Sequence, residues 1–413
     1  MLGEYINRKG ERWELQLKGS GLTPYSRRGD GRAVLRSSVR EFLGSEAMYH
    51  LGIPTSRAAA LVVSDDPVMR DQFYDGHPQV ERGAVVLRLA QSWFRIGSIE
   101  ILTKNREIGL LRRLVDFVIE HHFPEIDLFD EDRYLQLFST IVRQTAEMIA
   151  KWQSVGFTHG VCNTDNYSLL SITIDYGPFG FLDEYNPDFI PNTSDDEGRY
   201  NYRKQPDIGL WNLDKLRIAM LPLLNQDQKK QMANILNGYE SIYSKLYIET
   251  FLKKLGLKTV ESDDDKFIGV LLIMMENTAS DFTMTFREMS EIPLERIESL
   301  DFPSNTWALK ILSKHEWFGK WIRIYRKRIA KEDIHVDDGT RQIAMSAVNP
   351  RYVLRNWMAQ SAIRKAERND FSEVRTLLRI LETPHKYQED AEEAGYSSPP
   401  PSWAKSLKVS CSS

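Results

Sequence analysis

The sequence predicts an α+β fold in two unequal parts, a small β-rich lobe followed by a larger helical lobe. Two patterns carry this expectation. Over roughly the first hundred residues the apolar positions alternate or cluster in short runs, as strands require. Beyond about residue 106 they recur at helical spacing. The expected parts are 1–105, a partial β-rich lobe; 106–382, the helical lobe; and 383–413, a linker and tail.

Each element follows from local pattern. Trp13, Leu15 and Leu17 alternate with Glu14, Gln16 and Lys18 as one strand. "KGSGLTPYSRRGDGR" carries glycines at 19, 21, 29 and 31 and reads as a mobile loop. Leu35, Val39, Phe42, Leu43 and Ala47 define a helix over 34–51 that Gly52 and Pro54 end. "RAAALVV" and "GAVVLRLA" are short β runs on either side of a polar stretch. Residues 138–155 form an amphipathic helix that leads directly into His159. Further helices fit 227–255, 307–330 and 350–381, and Ser262 with Asp265 forms a capping box before the Phe267 helix. The acidic, Pro- and Ser-rich stretch 383–401 reads as an exposed linker.

The 413 residues are 42% hydrophobic and 27% charged, an ordinary composition for a folded chain. A net charge of −4 argues against nucleic-acid or membrane-surface binding. The longest apolar run, Phe267 to Met275, is too short to cross a bilayer. The two cysteines, Cys162 and Cys411, make neither a disulfide scaffold nor a zinc set.

"HGVCNTDNYSLLSITIDYG", His159 to Gly177, has the outline of a kinase catalytic loop and its metal-binding Asp-x-Gly. Asn166 lies seven residues after His159, as that pattern requires, but Val161 stands where the catalytic aspartate belongs and an aspartate occurs instead at Asp165. Asn166 and Asp175 offer hard oxygens of the kind magnesium takes beside phosphate. Leu170, Ile172 and Ile174 alternate as a strand that returns Asp175 to the loop. Turn chemistry alone also explains an Asn–Asp pair, and the His159 spacing favours the functional reading. A β-rich lobe, then a helical lobe with this loop, is the order of a kinase-like fold.

Lys18 ends a strand and can face a helix carrying Glu41 and Glu46, the pairing that holds nucleotide phosphates in kinases. Arg88 lies inside an apolar strand, where an unpaired guanidinium is costly, so a carboxylate or a ligand phosphate must partner it. Arg95 follows seven residues later. The run "TSDDEGRY" reads as a solvated loop, Trp211 as core, and His121–His122 as surface.

Together, "LKGSGLTPYSRRGDGRAVLRSSVREFL", "HGVCNTDNYSLLSITIDYGPFGFLD", "NPRYVLRNWMAQSAI" and the final "CSS" strongly resemble the selenoprotein O family of kinase-like proteins. "VMRDQFYDGHP" and "NDFSEVRTLLRILETP" look closest to animal members. The resemblance implies a two-lobed pseudokinase fold that binds ATP in a flipped orientation and transfers AMP to Ser, Thr or Tyr hydroxyls of proteins. It implies Asp165 as general base, Asn166 and Asp175 as ligands of Mg2+ (or Mn2+), and Lys18 paired with Glu41 on phosphate. Asp30, Gly31, Arg88, Arg95 and Asp175 would hold the nucleotide. It further implies protein acceptors, a monomer, a role in redox homeostasis, and a mitochondrial location, or else a cytoplasmic one. Relative to the family this chain starts after a further Gly-rich segment and after any targeting stretch, so an N-terminally short form is expected. Cys411 stands where vertebrate members carry selenocysteine. The loop position that bridges to it in some members is Pro191, so Cys411 is expected to be a free, redox-sensitive thiol. A conventional phosphotransferase and a silent nucleotide-binding scaffold are the competing readings.

Overall fold

The computed structural model describes residues 1–24, 26, 29–332 and 337–410. Five antiparallel strands form the N-terminal sheet: β1 (Gly3–Ile6), β2 (Arg12–Lys18), β3 (Ala33–Val34), β4 (Arg57–Arg70) and β5 (Gln79–Ala90). β5 pairs with β2 and β3 along one edge and with β4 along the other. In this register Gln16 lies opposite Arg88 and Lys18 opposite Val86. The polar side of β2 therefore shares a face with Arg88. Its Glu14 is buried, whereas Trp13, Leu15 and Leu17 are only half-buried.

β4 and β5 are much longer than the two apolar runs suggest, because the hairpin continues into the polar stretch between them. Pro67 is tolerated there because the ladder shifts register between Val63 and Pro67. Helix α1 (Leu35–His50) packs beneath the sheet. Its Gly44 allows close approach to the segment after Asp175, since a Cβ at that position would stand 2.6 Å from the Phe179 ring.

The rest is helical: α2 (Ile96–Lys104), α3 (Ile108–His122), α4 (Arg133–Ser154), α5 (Gln205–Met220), α6 (Gln226–Asn237), α7 (Tyr239–Lys254), α8 (Asp264–Thr278) and α9 (Phe282–Glu291). Then follow α10 (Leu294–Glu298), α11 (Ala308–Leu312), α12 (Phe318–Ile329), α13 (Asp338–Val348), α14 (Asn356–Ala366), α15 (Ser372–Leu381) and α16 (Glu389–Glu393). The result is a mixed α+β fold with small antiparallel sheets. One apolar core runs from α1 through α3, α4 and α5 to α14 and α15, and a second lies among α7, α8, α9 and α12.

Three helices expected as single rods are broken. Gly238 divides 227–255, residues 313–317 divide 307–330, and Asn369 at φ +63° divides 350–381. The α8 cap also differs: the Asp264 carboxylate, not Ser262, accepts a backbone N–H, from Glu261 at 2.7 Å. No strand forms over 170–174, where Thr173 makes only isolated bridges to Tyr167 and Thr55 and the backbone is left-handed at Ser171 (φ +49°) and, just beyond, at Asp175 (φ +57°). The pairing instead joins β6 (Phe157–Thr158) to β7 (Gly180–Phe181). The stretch 383–401 is not an exposed linker: Ala391 and Tyr396 are buried, and Glu392 is paired with Arg351 at 2.7 Å. Trp211 is half-buried, with Arg199 and Lys215 over its ring, and does not belong to the core. His121 is exposed as expected, whereas His122 is half-buried. No helix among the described residues is long and apolar enough to cross a membrane.

Candidate active site

Asp175 is the hub of the site. Its left-handed backbone turns the carboxylate toward the sheet, where Arg88 Nη1 donates to Oδ1 at 2.6 Å. Arg95 Nη2 and Nε donate to Oδ2 at 2.6 and 3.1 Å, and Lys18 Nζ lies 3.6 Å from Oδ1. Glu41 completes the group, ion-paired to Lys18 and accepting from Arg88 Nη1 at 2.9 Å. Burial pushes the Asp175 carboxyl up, but the Arg88, Arg95 and Lys18 cations outweigh it and hold the group well below the usual carboxylate range. Three cations face two carboxylates, which leaves one positive charge in excess. Such a surplus on a partly buried wall suits a polyanion.

The loop reaches this hub through backbone zipping. Ile96 N donates to Tyr167 O at 2.9 Å and Leu169 N to Phe94 O at 3.0 Å, so residues 167–169 are fastened beside Arg95. His159 fixes the other side. Its Nε2 donates to Ile174 O at 2.9 Å while Nδ1 accepts from Val161 N at 3.4 Å, the pattern of a neutral imidazole. Burial lowers its pKa in the same sense. His159 is thus a strut between the loop and Asp175, set in an aromatic cluster of Trp152, Phe157, Tyr176 and Phe179.

Asn163 Oδ1 accepts from Asp165 N at 3.0 Å and shapes a short 3-10 turn there. Asp165 is exposed, and its Oδ1 lies 2.5 Å from where a Cβ on Gly97 would stand. Asn166 Nδ2 donates to Val161 O at 2.9 Å, which leaves Oδ1 without a donor among the described residues. Asp30 and Gly31 line a cleft together with Lys18 and Glu41. Gly31 has φ +69°, and a Cβ there would stand 2.1 Å from Gly21 O, so glycine alone fits that fold-back. Asp30 is gripped by Arg70 at 2.6 and 2.9 Å and accepts Arg32 N at 2.9 Å. Lys18, Asp30, Gly31, Glu41 and Tyr176 line one cleft of about 410 Å³.

The structure thus brings Lys18, Glu41, Arg88, Arg95 and Asp175 into contact. Asp30 and Gly31 line the same cleft as Lys18 and Glu41, and Asp165 stands against Gly97 of the helix that Arg95 precedes. The partner of Arg88 is carboxylate from two sources. Of the two helix glutamates, Glu46 pairs with Arg57 at 2.6 Å and takes no part. Sequence reasoning missed Gln16, whose Oε1 accepts from Arg88 at 2.5 Å, and Trp93, whose ring lies 4.4 Å beneath that guanidinium. Gln16 shares the Lys18 face of β2, a period-two signal that was open to reading. Cys162 is buried and unbridged, and burial pushes its thiol up, away from reactivity. Cys411 lies outside the described residues.

No cluster of three His, Cys, Asp or Glu side chains that could hold a metal occurs among the described residues. The donor chemistry of Asn166 Oδ1 and Asp175 fits magnesium, which takes one or two side-chain oxygens beside phosphate. In this arrangement both Asp175 oxygens accept from arginine.

The sequence profile of the protein adenylyltransferase SelO family matches residues 1–382. The chain belongs to that family. Similar proteins named protein nucleotidyltransferase YdiU include one from Azoarcus sp. strain BH72, 44% identical over the whole of this chain and 79% of its own. The Erwinia tasmaniensis protein is 45% identical over the whole of this chain and 82% of its own. That of Pseudomonas fluorescens Pf-5 is 43% identical, again over this whole chain and over 80% of its own. As a SelO member the protein is an enzyme of the protein nucleotidyltransferase class. These relatives are bacterial and lend the expected mitochondrial location no support.

Proposed function

We propose that this SelO member transfers AMP from ATP to Ser, Thr or Tyr hydroxyls of acceptor proteins, with residues 1–105 and 106–382 as the two lobes of a kinase-like arrangement. The observation that carries the proposal is the convergence of Lys18, Arg88 and Arg95 on Asp175 and Glu41, with positive charge to spare for a triphosphate. Lys18, Arg88 and Arg95 bind phosphate oxygens and disperse charge that builds on the transferring group. Asp30 and Gly31 bound the nucleotide across the cleft. Asp165 accepts the hydroxyl proton as the acceptor oxygen bonds to the α-phosphorus and the bond to pyrophosphate breaks. Asn166 and Asp175 would hold magnesium, which when bound neutralises phosphate charge.

Val161 is consistent with this reading. His159 fixes residue 161 by its N–H, and the carboxylate that acts is displaced four residues on, against Gly97 of α2. The test is intact-mass spectrometry after incubation with ATP and Mg2+. A gain equal to AMP is expected, and it should vanish in Asp175→Ala. In Asp165→Ala the transfer rate should fall about a hundredfold or more, with ATP binding retained. A phosphate-sized gain would refute the proposal in favour of a kinase.

A further inference from the structure

Arg40 lies one residue before Glu41 on α1 and lines the same 410 Å³ cleft, yet it differs from the other charged groups there. Lys18 is paired with Glu41, Arg36 with Glu81, and Asp30 with Arg70. Arg40 is only 5% exposed and has no carboxylate within reach among the described residues. Its Nη2 donates to Phe179 O and, at 3.1 Å, to Asn356 Oδ1, while the guanidinium lies 4.5 Å from the centroid of the Phe179 ring. None of these contacts neutralises its charge. Nη1 makes no hydrogen bond among the described residues, and Nε is sealed without a partner. Burial, and after it the neighbouring Arg36, pull the Arg40 pKa down to about 9. A buried cation without a counter-ion beside unsatisfied polar atoms is costly on its own. An oxyanion in the cleft supplies the missing charge and accepts from the unpartnered Nη1.

We propose that Arg40 forms an oxyanion subsite in this cleft that takes a phosphate group, either one of the nucleotide's or that of free pyrophosphate. The subsite rests on the proposed function only in what supplies the anion. AMP transfer from ATP releases pyrophosphate, so both sources are present in the reaction.

Calorimetric titration of the full chain with inorganic pyrophosphate, and separately with ATP, tests the subsite. Arg40→Gln should weaken pyrophosphate binding about tenfold or more, with Arg40→Lys recovering part of the loss. Asn356→Ala, which removes an anchor of Arg40 rather than a group of the subsite, should bind like wild type. Arg40→Lys, which keeps the charge but not the fork, keeps the test open if Arg40→Gln does not fold, and should then show a partial loss. A parallel loss of ATP affinity assigns the anion to the nucleotide, and a loss confined to pyrophosphate assigns it to the released product. Unchanged pyrophosphate affinity in folded Arg40→Gln, or in Arg40→Lys where Arg40→Gln does not fold, overturns the subsite. So does Asn356→Ala reproducing the full loss, since Arg40 would then be a strut for Phe179. Intact-mass readout of AMP transfer runs alongside. Wild-type transfer with unchanged binding in Arg40→Gln overturns the subsite alone, and Arg40-dependent binding without any wild-type transfer overturns only the proposed function.

Discussion

Gly97→Ala isolates the contribution of Asp165 without touching it. The new Cβ would meet only the far end of the Asp165 side chain, at 2.5 Å, with the nearest backbone atom, Thr164 O, at 3.4 Å. Gly97 is the second residue of α2, where alanine is a better helix former than glycine. Thermal stability should therefore hold or rise slightly, ATP affinity should not change, and the transfer rate should drop by about tenfold or more as the carboxylate is displaced. Melting, calorimetric and transfer assays on one preparation check all three, and an unchanged rate would remove Asp165 from the base role. At the same scale the sequence supplied good candidates but could not rank them. Glu41 and Glu46 both lie on the helix expected to face Lys18. Only the packed structure assigns one to Lys18 and Arg88 and the other to Arg57.

At the scale of elements, Arg355 joins three pieces of chain. It caps the entry to α14 and is 1% exposed. It donates to Asp281, the N-cap of α9, at 2.7 and 3.0 Å, and to Asp183, just past β7, at 2.7 Å. Burial pushes the Asp281 carboxyl up, and the Arg355 charge works against that. Arg355→Met would strand a buried carboxylate and should cost about 3–5 kcal/mol in urea unfolding. A cost below about 1 kcal/mol would show that the pair is dispensable. Nothing in local sequence announces this tie, whose members are 74 and 172 residues apart. Local signals did place α1, α4 and the β4–β5 runs, because apolar periodicity reports which face an element buries. They overran the break at Gly238 and the left-handed backbone at Asn369, both inside stretches that the apolar pattern would continue as one helix.

For the whole molecule, Lys254 makes stability depend on pH in an unusual direction. The ammonium is buried at the end of α7, donating to Asn349 Oδ1 at 2.8 Å and lying 4.3 Å over the Phe286 ring, with no carboxylate partner among the described residues. Burial lowers its pKa to about 7. Between that value and the unfolded lysine's, about 10.4, the unfolded chain holds a proton that the folded chain does not, so stability should rise with pH across that window. The rise attributable to this group is on the order of a few kcal/mol. Lys254→Met should abolish it. Unfolding midpoints measured from pH 7 to 10 on both proteins decide the matter, and parallel curves would count against a buried, deprotonating lysine.

The sequence by itself determined the α+β class, the helix that feeds the His159 loop, and the residue types that gather around Asp175. Those properties depend on period, spacing and side-chain chemistry, which are local. Tertiary structure alone decided that β2 turns its polar side inward, that Gln16 and Trp93 brace Arg88, and that the stretch after residue 382 packs against the helices. It also decided that Arg40 lines the cleft with no counter-ion among the described residues. Burial and ion pairing are set by what arrives from elsewhere in the chain, and a local pattern of charge or alternation cannot say which side of an element will meet it.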